Sequence, residues 1–225
     1  METRDNVRNY FAWQAQLFQE FARGVIIDHG SGTGGLADAL LTAQAGRVTA
    51  VEPDEQLVGV LQRRFANDPN AEVFPGTLDG YLAAHGGASV DAIVSSNVLE
   101  HIDDDVACLR IMHELLRPGG GVGLYLPARP ELYGSLDEEV GHFRRYTRSD
   151  LVAKLERVGF RVQRVGYCNL VSVVPWIVTG RVLRRRKIGA GSLQLFDRVV
   201  FPVTRRLEAW FPPPYGLNLV AIGVK

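Results

Sequence analysis

Short apolar runs alternate with amphipathic segments along the first 126 residues of the chain. Five of these runs are rich in aliphatic residues and stop at Pro, Ser or an acidic residue, which predicts buried strands over 25–27, 47–51, 72–74, 90–95 and 121–126. Helical periodicity fills segments between them, over 36–41, 55–65 and 105–116. This alternation predicts an α/β fold with a mostly parallel sheet and helices on both faces.

The pattern changes after residue 126. Ser149 reads as the N-cap of a helix over 150–157, and Gly159 reads as the point where that helix ends. Two more apolar runs, 160–165 and 217–224, predict a sixth strand and a last strand.

Both ends of the chain are expected to add helices to this core. Apolar residues at helical spacing predict an amphipathic helix over 7–21, and the segment before the last strand is too long for a structureless loop. We therefore expect one domain over residues 1–225. Its parts are an N-terminal helix in 1–24, a core in 25–169, a helical insert in 170–214 and the last strand in 215–225.

A glycine loop follows the first predicted strand. Gly30-Ser-Gly-Thr-Gly-Gly35 satisfies the G-x-G-x-x-G spacing, and Glu52 stands about 20 residues later, as in dinucleotide-binding proteins. Asp28, however, ends the strand directly before the loop. A carboxylate there repels a pyrophosphate at the helix N-terminus and attracts a cationic ligand.

These motifs stand in the order found in class I S-adenosylmethionine (SAM) dependent methyltransferases, which the chain resembles. The resemblance rests on Val25-Ile-Ile-Asp-His-Gly-Ser-Gly-Thr-Gly34, Glu52, Val90 to Val94 with Asn97-Val-Leu-Glu-His101, and Leu116-Arg-Pro-Gly-Gly120. Residues 141–146, 195–197 and 212–219 resemble a bacterial subgroup of these enzymes. SAM carries an ammonium and a sulfonium near this turn and no phosphate, so Asp28 favours it over NAD.

The resemblance implies a Rossmann-like, seven-stranded sheet with an antiparallel last strand and a helical insert before that strand. Two positions depart from the family pattern: His29 replaces a small or hydrophobic residue, and the loop Gly76-Thr-Leu-Asp79 lacks the usual aspartate after the third strand. Asp79 either does the work of that aspartate or caps the next helix.

The cofactor contacts are expected at the carboxyl ends of the strands. The strand-end position of Glu52 predicts that its carboxylate accepts hydrogen bonds from the ribose hydroxyls, and Thr77 and Leu78 are expected beside the adenine. Tyr10 and Trp13, on the N-terminal helix, are predicted either to form a lid over the cofactor or to pack in the core. The complete predicted set is Asp28, Gly30, Ser31, Gly32, Glu52, Pro53, Thr77, Leu78, Asn97, Val98, Tyr10 and Trp13.

Four residues are candidates for handling the methyl acceptor: His142, His101, Tyr146 and Arg145. His142 is interpreted as a base or an acceptor-positioning group, with contacts that anchor a loop as the alternative. His101 follows the fourth strand, where a histidine bonded to the backbone is the alternative. Methyl transfer needs no metal, and the spacing of the sequence indicates no set of metal ligands.

Charge is distributed unevenly along a chain of zero net charge. Residues 1–141 hold 9 Lys or Arg and 21 Asp or Glu, whereas residues 142–225 hold 16 and 4. The apolar segment followed by Arg184-Arg-Arg-Lys187 predicts either peripheral membrane contact through 170–187, a cap over the substrate or a homodimer contact. Basic residues are otherwise scattered, which argues against nucleic acid. A polar N-terminus and the lack of a long apolar run predict a cytoplasmic protein.

Methyl transfer from SAM to an oxygen or nitrogen of a small-molecule or lipid- or glycan-linked acceptor is therefore the leading hypothesis, with S-adenosylhomocysteine (SAH) as the product. Two alternatives stay open. One is an NAD(P)-dependent oxidoreductase that uses the literal glycine spacing. The other is a SAM-binding protein that has another role, such as promoting a cyclisation.

Overall fold

The computed structural model describes residues 7–184 and 196–225. A single seven-stranded sheet runs through it in the order β3-β2-β1-β4-β5-β7-β6. The strands are β1 Gly24–His29, β2 Gly46–Glu52, β3 Ala71–Pro75, β4 Val90–Ser96, β5 Leu116–Pro127, β6 Arg161–Cys168 and β7 Asn218–Val224. The helices are α1 Arg8–Phe18, α2 Gly35–Thr42, α3 Glu55–Phe65, α4 Leu78–His85, α5 Asp105–Leu115, α6 Ser135–Val140, α7 Arg148–Arg157, α8 Val173–Trp176 and α9 Phe201–Trp210.

The predicted fold is confirmed. Strands β1 to β5 pair in parallel, and β7 inserts antiparallel between β5 and β6. The central strands are almost wholly buried because helices cover both faces of the sheet, as expected for apolar runs without polar alternation. One core cluster contains Ile93 and Leu124 and the other contains Ile26 and Val94.

Several boundaries differ from prediction. The N-cap of α7 is Thr147 rather than Ser149, because the Thr147 hydroxyl accepts a hydrogen bond from the Asp150 amide at 3.1 Å. Strand β5 begins at Leu116 rather than at residue 121, since the backbone of Gly119 and Gly120 exchanges hydrogen bonds with the last residue of the chain. Helix α1 ends three residues earlier than predicted, and β6 runs on to Cys168.

Helix α6 is additional to the prediction, and α4 is the helix that the alternative role of Asp79 required. Asp79 lies in the first turn of α4, where the Thr77 hydroxyl bonds it and lowers the pKa of its carboxyl group. This contact agrees with a role for Asp79 at the start of that helix.

The insert is helical where it is described. After a 3-10 turn at Leu170–Ser172 come α8, a π-helical stretch at Ile177–Val182, a second at Phe196–Val200, and α9. The basic run predicted at 184–187 lies mostly outside the described residues, as does residue 195. No helix among the described residues is long and apolar enough to cross a membrane.

Candidate active site

The order of the strands reverses between β1 and β4, which leaves a crevice at their carboxyl ends. His29 of β1 lies opposite Ser95 of β4, so both strands reach the same edge of the sheet. Ligands of open α/β sheets bind at such switch points. The loops that follow β1, β2 and β4 meet here.

The glycine loop is folded tightly against the loop that follows β4. Gly30 and Gly32 have φ values of +66° and +59°, a region that suits glycine. A Cβ atom built on Gly30 would lie 2.5 Å from Cγ2 of Val98, so the two loops touch with no room for a side chain. The Ser31 hydroxyl donates to the Asp28 carbonyl at 2.8 Å and fixes the turn.

Asp28 is buried beneath this loop. Its Oδ2 atom has no hydrogen-bond partner among the described residues. Burial raises the pKa of its carboxyl group to about 7, and the charge of Glu52 adds to this, whereas hydrogen bonds involving Ser31 and the Ala37 backbone oppose it. A buried acid with an unused oxygen is poised to ionise when a cation arrives.

Glu52, at the end of β2, braces the same loop. Its carboxylate accepts hydrogen bonds from the amides of Gly32 at 2.8 Å and Asp54 at 3.1 Å. The side chain is almost fully buried, while Pro53 next to it is exposed. The contact with Gly32 joins the second strand to the glycine loop.

His29 is accommodated as a neutral residue. Its Nδ1 lies 3.1 Å from the Ser95 hydroxyl, and burial lowers its pKa to about 4. The imidazole therefore adds no positive charge beside a cationic cofactor. This explains how the site tolerates the departure from the family pattern.

An aromatic cluster lies above the loops. Tyr10 and Trp13 of α1 pack edge-to-face on Tyr125 of β5, at 5.6 and 5.8 Å between ring centroids, and on Phe201 of α9, at 5.6 and 5.2 Å. The Tyr10 hydroxyl lies 3.5 Å from Nδ2 of Asn97, which has a φ of +53°. Helix α1 thus both contacts the loop after β4 and packs in the core.

Helix α1 is held in place from the far end of the chain. The Asp197 carboxylate accepts hydrogen bonds from the amides of Tyr10 at 2.9 Å and Asn9 at 3.3 Å, two of the unpaired amides of the first turn. The Phe11 ring meets Gly35 so closely that a Cβ atom there would lie 2.3 Å away. The insert and the glycine loop both position this helix.

Gln14 is a candidate that the sequence analysis missed. It is fully buried on α1, and neither atom of its amide group has a hydrogen-bond partner among the described residues. It follows Tyr10 by four positions, so both side chains lie on one face of the helix. A polar residue on the apolar face of an amphipathic helix was the available signal.

The residues predicted beside the adenine lie at the start of α4. Thr77 is exposed and precedes the helix, whereas the Leu78 side chain is buried in the main core cluster. Their backbone comes directly after β3, at the edge that carries Glu52, because Gly76 donates its amide hydrogen bond to the Glu52 carbonyl at 3.0 Å.

A polar cluster forms the other half of the edge. His101 and His142 pack edge-to-face at 4.7 Å, and Nε2 of His142 lies 3.7 Å from Oε1 of Glu100. Nδ1 of His142 donates to Oδ1 of Asp137 at 2.8 Å, and Nε of Arg145 donates to the same oxygen at 2.8 Å. Three of these residues, His101, His142 and Arg145, were predicted.

Glu100 and Asp137 were missed in the sequence. Glu100 is fully buried, neither carboxylate oxygen has a hydrogen-bond partner among the described residues, and burial raises its pKa to about 8. Its carbonyl accepts the Phe143 amide at 2.8 Å, which ties the loop after α6 to the loop after β4. The signal for Glu100 was its position between a buried leucine and His101.

Tyr146 lies beneath this cluster in the core. It is fully buried, and its hydroxyl donates to Oδ2 of Asp105 at 2.9 Å and lies 3.3 Å from the Leu99 carbonyl. Arg145 is also buried. Its Nη1 atom donates to the Ala128 carbonyl, and its guanidinium group lies 4.6 Å from the centroid of the Trp176 ring. Both side chains are committed to protein contacts.

Comparison with known proteins identifies the family of this chain. A family model described as "Methyltransferase domain" matches residues 3–165. The chain belongs to this family. Membership of this family implies SAM as the cofactor, which confirms the choice of SAM over a dinucleotide that Asp28 indicated.

Curated relatives align with part of this chain. An uncharacterised methyltransferase of Mycobacterium tuberculosis is 33% identical over 111 residues, which are 49% of this chain and 54% of that protein. A ubiquinone biosynthesis O-methyltransferase of Aromatoleum aromaticum is 28% identical over 98 residues, 43% of this chain and 41% of that protein. The chain spans about half the length of these curated relatives.

Among solved structures, a SAM-dependent methyltransferase from Archaeoglobus fulgidus superimposes with a TM-score of 0.66 at 17% identity, over 97% of this chain and 94% of that one. This likeness concerns the fold of the chain as a whole.

Proposed function

We propose that this methyltransferase transfers the methyl group of SAM to an oxygen or nitrogen of a small molecule, with a hydroxyl group as its preferred acceptor. The observation that carries the proposal is a cluster of ionisable side chains. Glu100 and His101 come directly after the loop formed by Asn97 and Val98, and His142 joins them from the loop after α6.

The cofactor is assigned to the other half of the edge. In our proposal the ionised Asp28 attracts the cationic amino acid part of SAM, and the carboxylate of Glu52 accepts the ribose hydroxyls while it stays bonded to Gly32. Gln14 offers a buried amide to the carboxylate of SAM. Thr77 and Leu78 supply the surface beside the adenine.

The acceptor is assigned to the cluster because a hydroxyl is a weak nucleophile until it loses its proton. Asp137 holds Nδ1 of His142 at 2.8 Å and leaves Nε2 directed toward Glu100. A positioned group of this kind contributes about 10²- to 10⁴-fold by removing a proton in the transition state. The name of the O-methyltransferase from Aromatoleum aromaticum supports an oxygen acceptor.

The test is formation of SAH with a panel of phenols, alcohols and primary amines, with mass spectrometry of the product. We expect a methyl ether as the main product and a loss of turnover of about 100-fold in His142→Asn. The matched control is His113→Asn, since that histidine packs on Phe160 instead. Methylated amines as the only products, or full turnover in His142→Asn, would contradict the proposal.

A second candidate function is binding to a surface at which the protein would meet its acceptor. Side chains at helical spacing on the insert are exposed, and they form what we call the apolar stripe: Val174, Val178, Val182, Val199, Val203, Leu207, Trp210 and Phe211. Trp210 and Phe211 are 82% and 76% exposed. Exposed apolar patches of this kind occur at protein or membrane contacts.

Charge favours an anionic membrane as the partner of this stripe. Residues 170–214 hold eight Arg or Lys and two Asp or Glu. The two acidic groups are already engaged, Asp197 with α1 and Glu208 with the amides of Asn169 and Leu170. In our proposal the stripe rests on anionic lipid and delivers a lipophilic acceptor to the site.

Cosedimentation with vesicles tests this second candidate. We expect binding to vesicles with anionic phosphatidylglycerol, weaker binding to phosphatidylcholine alone, and loss of binding in the double variant Trp210→Glu, Phe211→Glu. Val140→Glu is the control because Val140 is an exposed apolar residue outside the insert. Equal sedimentation of the double variant would contradict the membrane assignment, as would a wild-type dimer that this variant converts to monomer.

A further inference from the structure

The cluster after β4 has a feature that proton transfer alone does not explain. Ligand atoms of Glu100, His101 and His142 all lie within 4.8 Å of one another. Glu100 is fully buried, yet both of its oxygens have no hydrogen-bond partner among the described residues. A buried carboxylate is stable only when a partner compensates the loss of water.

The tautomer of His142 sharpens this problem. Oδ1 of Asp137 accepts a hydrogen bond from Nδ1 of His142 at 2.8 Å, so the proton of the neutral ring is on Nδ1. The other nitrogen, Nε2, then presents a lone pair to Oε1 of Glu100 at 3.7 Å. The two atoms face each other across a gap that is too long for a hydrogen bond.

The distance between these two atoms is close to the distance between two ligand atoms bound to the same metal ion. Two ligand atoms, each about 2.1 Å from an ion and separated by the tetrahedral angle, lie about 3.4 Å apart. The distance of 3.7 Å between Nε2 and Oε1 needs only a small adjustment to reach that value. The ligand atom of His101, which is exposed and adjacent in sequence to Glu100, lies within 4.8 Å of the other two.

The groups behind His142 match those that orient metal-bound histidines. Metal-ligating histidines donate their other ring N–H group to a carboxylate or carbonyl, and that partner is itself hydrogen-bonded. Asp137 receives His142, and it also receives Nε of Arg145 at 2.8 Å and the Gly134 amide at 3.0 Å. The orientation of His142 is therefore fixed before any ion arrives.

We propose that Glu100, His101 and His142 bind one divalent transition-metal ion, with Zn²⁺ as the first choice. Two histidines and one glutamate with a fourth position left open are the ligand set of catalytic zinc sites. The spacing in sequence does not reveal the set, because the loops after β4 and after α6 contribute separately. This proposal departs from the expectation of no metal drawn from the sequence.

The use of the ion rests on the proposed function, whereas its binding does not. With an ion bound, Nε2 of His142 would be a ligand, and the ion rather than His142 would activate the acceptor. The acceptor hydroxyl would take the open position, which would lower the pKa of the hydroxyl group, and its proton would leave to solvent. The oxygen then attacks the methyl carbon of SAM, the carbon–sulfur bond breaks, and its electron pair stays on sulfur. The products are the methyl ether and neutral SAH.

The experiment measures the metal content of the purified full chain after treatment with EDTA and titration with Zn²⁺ or Co²⁺. We expect one ion per chain, a visible absorption band for Co²⁺ with nitrogen and oxygen ligands, and a higher melting temperature with the ion. Glu100→Gln and His101→Gln should lower the affinity at least tenfold, and Asp137→Asn should lower it about 10- to 100-fold.

Two further variants distinguish loss of the metal site from loss of the fold. His101→Gln changes an exposed side chain, so it tests the site even where Glu100→Gln disturbs the core. His85→Gln is the matched control, because His85 packs on Tyr81 away from the cluster. Binding of less than one ion per chain by the wild-type protein, or equal affinity in His101→Gln and wild type, would overturn the proposal.

Activity separates this proposal from the proposed function. Unchanged methyl transfer to a hydroxyl by metal-free protein that binds no Zn²⁺ overturns the metal site and leaves the function standing. Stoichiometric binding of Zn²⁺ without any methyl transfer supports the site and overturns the function.

Discussion

The two halves of the active-site edge are built in different ways. In the cofactor half, contacts join residues close in sequence: Ser31 with Asp28, three positions apart, and Gly32 with Glu52, 20 apart. In the acceptor half, the loop after β4 supplies Glu100 and the loop after α6, about 40 positions later, supplies His142. One half follows from consecutive motifs, whereas the other exists only after the chain has folded.

The largest effect is expected from filling the glycine loop. Gly30→Ala places a Cβ atom against Val98 and forces a positive φ on a residue with a side chain. We expect SAM to bind about 100-fold more weakly, because a shift of about 1 Å in such a site has effects of that size. Calorimetric titration with SAM measures it.

Two further variants isolate the cause. Gly86→Ala shares the positive φ but has nothing within 4 Å of the added atom, so it should bind SAM normally. Val98→Ala in the Gly30→Ala background should restore part of the affinity. A Gly30→Ala protein that binds SAM like the wild type would show that the two loops do not form the cofactor site.

The next effect concerns the charge of Asp28. Asp28→Asn should weaken SAM binding about tenfold, equivalent to roughly 1.4 kcal/mol. Because the pKa of Asp28 is raised to about 7, the affinity of the wild type should rise between pH 6 and pH 8 as the carboxylate ionises. A flat pH profile in the wild type, or a retained slope in the variant, would contradict this assignment.

The same pKa makes a prediction for the protein without SAM. A carboxyl group whose pKa is raised by folding stabilises the folded state most at low pH, and that stabilisation is lost as pH rises from about 4 to about 7. Melting temperatures of wild type relative to Asp28→Asn should therefore fall across this range. SAM should oppose the fall.

A smaller effect is expected from the long-range cap. Asp197→Ala removes the acceptor for the amides of Asn9 and Tyr10, which should lower the free energy of unfolding by about 1 kcal/mol. Hydrogen exchange should accelerate within α1, and SAM affinity should fall a few-fold. Glu208→Ala is the control, since Glu208 accepts hydrogen bonds from the amides of Asn169 and Leu170 instead. Equal rates of hydrogen exchange in α1 for both variants would show that Asp197 does not stabilise this helix.

The smallest effect on turnover is expected from Tyr146→Phe. Loss of the hydroxyl hydrogen bond to Asp105 should lower the free energy of unfolding by about 1 kcal/mol and leave kcat within about twofold of wild type. Tyr133→Phe should instead lower kcat and leave the free energy of unfolding close to that of the wild type, because Tyr133 donates to the carbonyl of His142 at 2.8 Å. A large loss of kcat in Tyr146→Phe with unchanged KM would return Tyr146 to the catalytic set.

The sequence predicted the fold and the loops of the cofactor half because both depend on local patterns. Apolar runs mark the strands, and Asp28 and Glu52 stand at strand ends that the pattern identifies. The sequence could not place Asp137 behind His142, because that contact depends on how α6 packs. Nor could it show that Thr147 rather than Ser149 caps α7, since both hydroxyls stand near the start of the helix.

Buried polar groups were the least predictable feature. The sequence carries only a weak signal for Glu100 and Gln14, and the structure is needed to show that both are fully buried. Glu100 and Gln14 have side-chain atoms without hydrogen-bond partners among the described residues, which is why we assign Glu100 to the acceptor and Gln14 to the cofactor. Such groups arise where function opposes the usual rule that burial requires a partner.

The most direct test of the cofactor half is calorimetric titration of the wild-type protein and Glu52→Gln with SAM, SAH and NADH. We predict one molecule of SAM or SAH bound per wild-type chain, markedly weaker binding of both to Glu52→Gln, and no heat with NADH. Binding of NADH in the absence of any binding of SAM would contradict the account.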